Sequence, residues 1–235
     1  MASDKPDLPA GVSSPASSID SFLDAARSLG PLRAGEGGGR LAFALDATAS
    51  RQPTWDLACA LQAEMFDVTA GLGGLKVQLV YYRGADECRS SPYVADTRAL
   101  GRLMGQIACQ GGRTQIGRVL RHLQGEAERS GLKAAVFVGD AMEEDAEALL
   151  LDAGRLGVHG VRLFVFQEGN DPHVERTFRE MARLTGGAWC RFDAGAANEL
   201  RTLLRAVATY AAGGQSALLT SRDAGAKRLI AAMGR

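Results

Sequence analysis

From Leu41 onward, short apolar runs alternate with amphipathic stretches. The runs 41–45, 75–82, 134–138, 161–166 and 188–192 have strand length and are apolar almost throughout, as strands covered on both faces must be. Between them, apolar residues recur at helical spacing: Leu57, Leu61, Met65 and Val68; Ile116, Val119, Leu120, Leu123 and Ala127; Ala146, Leu149, Leu150 and Ala153. Two further stripes follow, Val174, Phe178, Met181 and Ala182, then Leu200, Leu203, Leu204 and Val207. Such alternation predicts parallel strands joined by helices. The segment 88–96 departs from it. It contains Pro92, which cannot donate to a ladder, and this predicts a short edge strand near Tyr93 and Val94. The order implies two hairpin-like steps after the first strand, then helix crossovers. The expected fold class is α/β: a doubly wound, mostly parallel sheet with a central first strand, helices on both faces and one short edge strand.

The folded unit is expected over 38–212. Residues 1–37 are rich in Ser, Pro, Ala and Gly and read as a flexible lead-in. Within it, Ile19, Phe22, Leu23 and Ala26 fall at helical spacing, a stripe too short to stand alone as a helix. After Gly213 and Gly214, residues 213–235 read as a helical tail with Ala226, Leu229 and Ile230 on one face.

Composition narrows the function. The 235 residues carry 27 basic and 27 acidic side chains, so no long-range field favours nucleic acid or an anionic membrane. The apolar runs fall far short of the roughly 20 residues that span a bilayer. Asp4 and Asp7 among Pro and Ser do not make an export signal, and the expected location is cytoplasmic. Cys59, Cys88, Cys109 and Cys190 lie far apart without CxxC spacing and read as reduced, mostly buried thiols.

The chemistry gathers at strand ends. The first strand runs into Asp46-Ala47-Thr48-Ala49-Ser50, where a parallel sheet presents its ligand-binding edge. The same residue types also serve as ordinary helix caps. Two more segments change the balance. Gly111-Gly112-Arg113-Thr114 precedes an apolar helix, and Gly139-Asp140 follows the strand 134–138 directly, so three loops converge on one rim.

This order of motifs, a D-x-[ST]-x-S, a G-G-x-T and a strand-terminal Asp, resembles the metal-ion-dependent adhesion site (MIDAS) of von Willebrand factor type A (vWA) domains. The resemblance covers roughly residues 40 to 210 and implies a vWA fold and a Mg²⁺ or Mn²⁺ ion held by Asp46, Thr48, Ser50, Thr114 and Asp140. In the family, hydroxyls such as those of Thr48 and Ser50 bind the ion directly. Thr114 would add a hydroxyl in some states, and Asp46 and Asp140 would often act through water. With few anionic ligands the ion stays electrophilic, and a partner's carboxylate is its natural further ligand. The implied role is a protein-binding module for a partner presenting an acidic residue, in the manner of family members that work beside ATPase complexes. Ala49 and Ala141 stand where the family often has Gly, which limits close backbone approach there.

Arg51, Trp55, Arg113 and Glu143 are expected on the same rim as partner contacts, together with Arg83 and Glu144 nearby; Arg and Trp are the residue types that dominate binding hot spots. Trp55 also reads as a core aromatic at a helix start, and Glu143 and Glu144 as acids complementing a helix dipole. Two rival functions use the same residues. One is a phosphatase resembling the haloacid dehalogenase group, with Asp46 as nucleophile; it lacks a rim lysine, because Lys133 opens its strand at the opposite end, and Thr48 replaces the usual general acid. The other is a metal-free vWA scaffold. Deleting residues 1–35 is expected to leave the melting temperature unchanged and weaken partner capture; a fall in melting temperature would instead make the stripe part of the core.

Overall fold

A computed structural model describes residues 39–69, 72, 74–192 and 197–233. The lead-in stripe of Ile19 to Ala26 lies outside the described residues. The chain order is β1 (Gly39–Asp46), a 3₁₀ turn (Ala49–Arg51), α1 (Gln52–Leu61), α2 (Ala63–Thr69), β2 (Leu75–Arg83), β3 (Glu87–Val94) and α3 (Thr97–Gly105). It continues with α4 (Ile116–Ser130), β4 (Ala134–Gly139), α5 (Ala146–Val158), β5 (Arg162–Glu168), α6 (Pro172–Leu184), β6 (Ala188–Phe192), α7 (Ala197–Thr220) and α8 (Ala224–Met233).

One sheet runs β3-β2-β1-β4-β5-β6, parallel except for β3, and β1 is central as expected. Of the two hairpin-like steps expected after β1, only β2 to β3 is a hairpin. β1 and β2 pair in parallel, so the chain must cross over between them, and α1 and α2 make that crossover. The expected stripe from Leu57 to Val68 is accordingly two helices, which meet at Gln62.

Alternation along each strand divides the core in two. Leu41, Phe43 and Leu45 of β1, Val136 and Val138 of β4, and Phe164 and Phe166 of β5 face α1, α3, α7 and α8. Ala42 and Ala44, then Phe137, then Leu163 and Val165, face α4, α5 and α6. A strand that buries both faces must be apolar at successive positions, which is why these runs read as continuous rather than alternating.

The edge strand is longer than the sequence suggested. Its ladder with β2 shifts between Gln78 and Val80, next to Pro92, and the Leu79 N–H finds the Ser91 hydroxyl at 3.0 Å instead of a carbonyl. Helix α3 was not foreseen. Asp96 caps it by accepting from the Ala99 N–H at 2.8 Å, and it buries Leu100, Leu103 and Met104. At the other end, the backbone turns sharply at Gly214 (φ 68°), a left-handed conformation that suits glycine, and α8 then folds back. Leu218, Ala226 and Leu229 join the core of Leu200 and Leu203, so residues 224–233 are part of the folded unit.

Trp55 lies in this core, 1% exposed, with its edge toward Tyr81 at 6.2 Å and its indole N–H directed to the Met104 carbonyl at 3.3 Å. The rim position expected for it is therefore corrected. The helix buries Trp55, Ala58 and Leu61 on one side, and the aromatic is the first step of that stripe. Trp55→Ala should cost about 3–5 kcal/mol of stability, measured by urea unfolding; a rim residue would cost almost nothing.

Candidate metal and partner site

The strand order reverses between β1 and β4, and such a switch point leaves a crevice beyond the carboxyl ends of the two strands. Register fixes what stands there. Asp46 ends β1 opposite Tyr82, and Leu45 pairs with Val138, so Gly139 and Asp140 leave β4 beside Asp46. Gly139 pairs with Gln167, which brings Glu168, the last residue of β5, to the same edge. Three acids therefore end, or directly follow, three neighbouring strands.

Asp46 is 3% exposed. Its Oδ1 accepts the Thr48 N–H at 2.7 Å, a tight turn that starts the motif loop, while its Oδ2 has no hydrogen-bond partner. The buried Tyr82 hydroxyl faces this carboxylate without a hydrogen bond of ordinary geometry, and it too is unpartnered. Burial pushes the Asp46 carboxyl above its ordinary range, opposed by the Thr48 and Tyr82 groups and reinforced by the charge of Asp140. Burial, followed by the charge of Asp46, likewise pushes Tyr82 well above the usual phenol range. A buried carboxylate oxygen faced only by a phenol outside ordinary hydrogen-bond geometry is costly to ionise, and a cation would relieve that cost.

Thr48 lies beside Asp46 and is 9% exposed, while Ser50 is exposed in the middle of the 3₁₀ turn. Thr114 is bound otherwise. Its hydroxyl donates to Glu144 and accepts the Glu143 N–H at 2.9 Å, and its own N–H reaches Glu143 at 3.3 Å. The loop that carries it is strapped down: Arg113 N–H to the Gly84 carbonyl at 3.1 Å, Gln110 N–H to the Ala47 carbonyl at 2.9 Å. Gly112 permits this, because a Cβ there would stand 2.1 Å from the Gly84 oxygen. Of the five expected ligands, Asp46, Thr48 and Asp140 come together at the switch point. Ser50 borders them, and Thr114 is tied to the 143–144 loop.

Arg51 was expected to face a partner. It points inward instead, 3% exposed, with one guanidinium nitrogen 3.3 Å from Asp140 Oδ2 and another bonded to Glu168 and, at 2.6 Å, to the Thr54 hydroxyl. Two carboxylates at adjacent strand ends attract the nearest cation on the chain. Arg83 is likewise buried, held by Glu87 at 2.9 Å and the Ala108 carbonyl at 2.6 Å. Arg113 and Glu143 are exposed on the rim. Glu144 complements a helix dipole, but of α4 rather than of α5: it accepts the N–H groups of Ile116 and Gly117, while Asp145 caps α5. Ala49 and Ala141 cause no strain, since no described residue other than glycine has a positive φ. Glu168 was missed, although an acid ending an apolar strand is the signal that selected Asp140. Among the described residues no three of His, Cys, Asp and Glu form a metal-ligating group; the donor set here is two carboxylates with hydroxyls.

A doubly wound sheet with the D-x-T-x-S loop and a strand-terminal Asp at its switch point defines the class: an open α/β sheet with its crevice on the carboxyl rim. The particular fold is that of von Willebrand factor type A domains, and the comparisons with solved structures bear this out. A von Willebrand factor type A protein from Catenulispora acidiphila matches with a TM-score of 0.60 at 15% identity, over 74% of this chain and 43% of that one. The chain thus spans less than half of that protein. The VWA domain of SpRpn10 matches with a TM-score of 0.56 at 10% identity, over 69% of this chain and 95% of that domain. Proximal thread matrix protein 1 from the mussel byssus, with a zinc-occupied MIDAS motif, matches with a TM-score of 0.51 at 15% identity, over 74% and 45% of the two chains. No protein-family model matches the sequence, and no curated protein matches it. No helix among the described residues is long and apolar enough to cross a membrane.

The raised Asp46 pKa has a testable consequence. Folding favours its protonated form, so with metal chelated its ionisation costs stability as pH rises above the ordinary 3.8 and through the raised value. Asp46→Asn keeps an acceptor for Thr48 and removes the charge. In chelator at pH 7 it should melt above the wild type, with the gap closing as pH falls toward 4; equal melting temperatures across that range would show that the burial carries no penalty.

Proposed function

We propose that this domain is a protein-binding module that holds a divalent cation, Mg²⁺ or Mn²⁺, at the β1–β4 switch point and through it engages a carboxylate of a partner. The observation that carries the reading is the Asp46 carboxylate, buried at the switch point with one oxygen unpartnered and a second carboxylate, Asp140, beside it. Asp46 and Asp140 would supply the charge and Thr48 and Ser50 neutral hydroxyls, a set of hard oxygen donors suited to these ions. Thr114 would join only on release from Glu144. When bound, such an ion offers an electrophilic open position that takes a carboxylate oxygen. The zinc-occupied motif of the mussel protein supports a divalent ion at loops of this kind. Ser50, Arg113 and Glu143, exposed on the rim, would meet the partner, an acidic protein surface in a cytoplasmic setting, and by family analogy one within an ATPase assembly.

Arg51 favours a second reading. Buried between Asp140 and Glu168, it already neutralises part of the rim, as it would in a scaffold that needs no metal. Phosphoryl transfer is the weaker rival. Lys76 and Lys133 stand at the amino-terminal ends of β2 and β4, away from Asp46, so neither reaches a phosphate on this rim.

Arg51→Met separates the first two readings. Removing one partner of a buried ion pair costs about 3–5 kcal/mol, so the variant should melt lower in chelator. If Asp46 and Asp140 hold a cation, Mg²⁺ at 100 times its Kd stabilises the wild type by about 2.7 kcal/mol, and the gain should be larger in Arg51→Met, where Asp140 is free. Asp46→Asn should abolish it. A melting temperature indifferent to Mg²⁺ and Mn²⁺ in all three proteins would establish the metal-free scaffold, and phosphoester hydrolysis lost in Asp46→Asn would establish the enzyme.

A further inference from the structure

At the far edge of the sheet a groove runs along β6 between α6 and α8, enclosing about 570 Å³. We propose that it binds an extended acidic segment of a partner protein, which adds to β6 as a further strand and seats its carboxylates on the arginines of the groove.

The backbone supplies the first half of the case. Among the described residues β6 is the last strand in the sheet and pairs only with β5. Arg228 donates to the Arg191 carbonyl at 2.7 Å from α8, so the backbone polar groups of Arg191 point away from β5. Strand geometry turns those of Trp189, two residues earlier, the same way. An edge of this kind pairs with another chain unless something guards it, and here the guard is Arg228, an exposed side chain that an incoming strand would displace from the Arg191 carbonyl. Small residues line the groove, Gly186, Gly187 and Ala188 on the sheet side and Ala231 and Ala232 on α8.

Charge supplies the second half. Arg176, Arg179 and Arg183 follow at i, i+3 and i+7 along α6, and Arg191 and Arg228 face them across the groove. Three carboxylates answer these five cations. Glu175 is shared by Arg179 and Arg191, Glu180 pairs with Arg183 at 2.5 Å, and Glu199 lies 3.5 Å from Arg228. Arg176 has no ion pair among the described residues. The full chain balances 27 basic against 27 acidic groups, so a local excess of arginine is a feature of this groove rather than of the whole surface. Its ion pairs are largely exposed, hence weak, and an incoming carboxylate can replace them.

A peptide fits better than a nucleic acid. Single strands bind by stacking bases on aromatic faces, and the Trp189 face is already covered by the Arg179 guanidinium at 3.7 Å. The indole N–H is also held, by Gln167 at 2.9 Å, so the ring cannot turn to offer another. The groove shares no residue with the rim around Asp46, so binding here needs no metal.

The test uses the full chain in chelator and a fluorescein-labelled peptide of alternating Glu and Val, followed by anisotropy. Saturable binding is expected, weakened about tenfold or more in Arg176→Glu with Arg183→Glu, since like charges across an interface oppose binding. A peptide of the same charge, N-methylated at alternate residues, should bind comparably weakly, because it cannot complete the ladder. The Trp189 and Arg191 amides should gain protection from hydrogen exchange when the unmodified peptide binds. Should the double variant fail to fold, Arg176→Glu alone, at an exposed residue without an ion pair, must still weaken binding several-fold. No saturable binding, equal affinity for the methylated peptide, unprotected amides, or tighter binding of a single-stranded oligothymidylate would each overturn the proposal.

Discussion

The carboxyl edge of this sheet is organised by repulsion. Parallel pairing stacks strand ends in register, and the ends of β1, β4 and β5 deliver Asp46, Asp140 and Glu168 to neighbouring places. Like charges so close, in a partly buried crevice, demand a counter-ion. Arg51 supplies one from the loop that follows β1, reaching Asp140 and Glu168. It leaves Asp46, whose second oxygen is buried with no hydrogen bond of ordinary geometry, faced by the Tyr82 phenol. The chain's own cation thus satisfies two of three acids, and the remainder is the reason for assigning a further cation to this edge.

The scaffold makes that arrangement stiff. Both faces of β1 are packed, large side chains toward α1 and alanines toward α4, so the strand cannot shift its register without moving a core. The hairpin after β2 holds the 110–115 loop through the Gly84 carbonyl, and Gln110 ties that loop back to Ala47. Glu144 then joins the 140–144 loop to the start of α4 through its bonds to Thr114, Ile116 and Gly117. Three loops far apart in sequence are held by backbone hydrogen bonds and the carboxylates of Glu143 and Glu144. A change of ligand at Thr114 would therefore release the end of α4, and this couples the site to a helix.

How much of this was legible depends on the range of the interaction concerned. The strands were plain, because burial on both faces writes a continuous apolar run. Asp46 and Asp140 were plain for the same reason, each sitting where such a run stops. Helix α3 was hidden by its brevity, and its cap at Asp96 was the signal overlooked. Trp55 stood at a helix start where exposure and burial read alike; the spacing to Ala58 and Leu61 favoured the core. Arg51 could not be read at all. Its partner Glu168 lies 117 residues away, and only the strand order puts the two side by side.

That last case bears on how a loop motif should be carried from one sequence to another. A motif of hydroxyls and acids states which donors a loop can offer, but not which are already engaged. Here the Thr114 hydroxyl has both a donor and an acceptor partner, Asp140 has an arginine, and Asp46 keeps one oxygen open. The same five residues with Arg51 turned to solvent would leave two acids unneutralised and a far stronger pull on any cation. With Arg51 in place, the electrostatic demand concentrates on a single buried oxygen. The affinity of such a site is set less by the motif than by the residue beside it, because a guanidinium on Asp140 removes part of the negative charge that a divalent ion would otherwise meet.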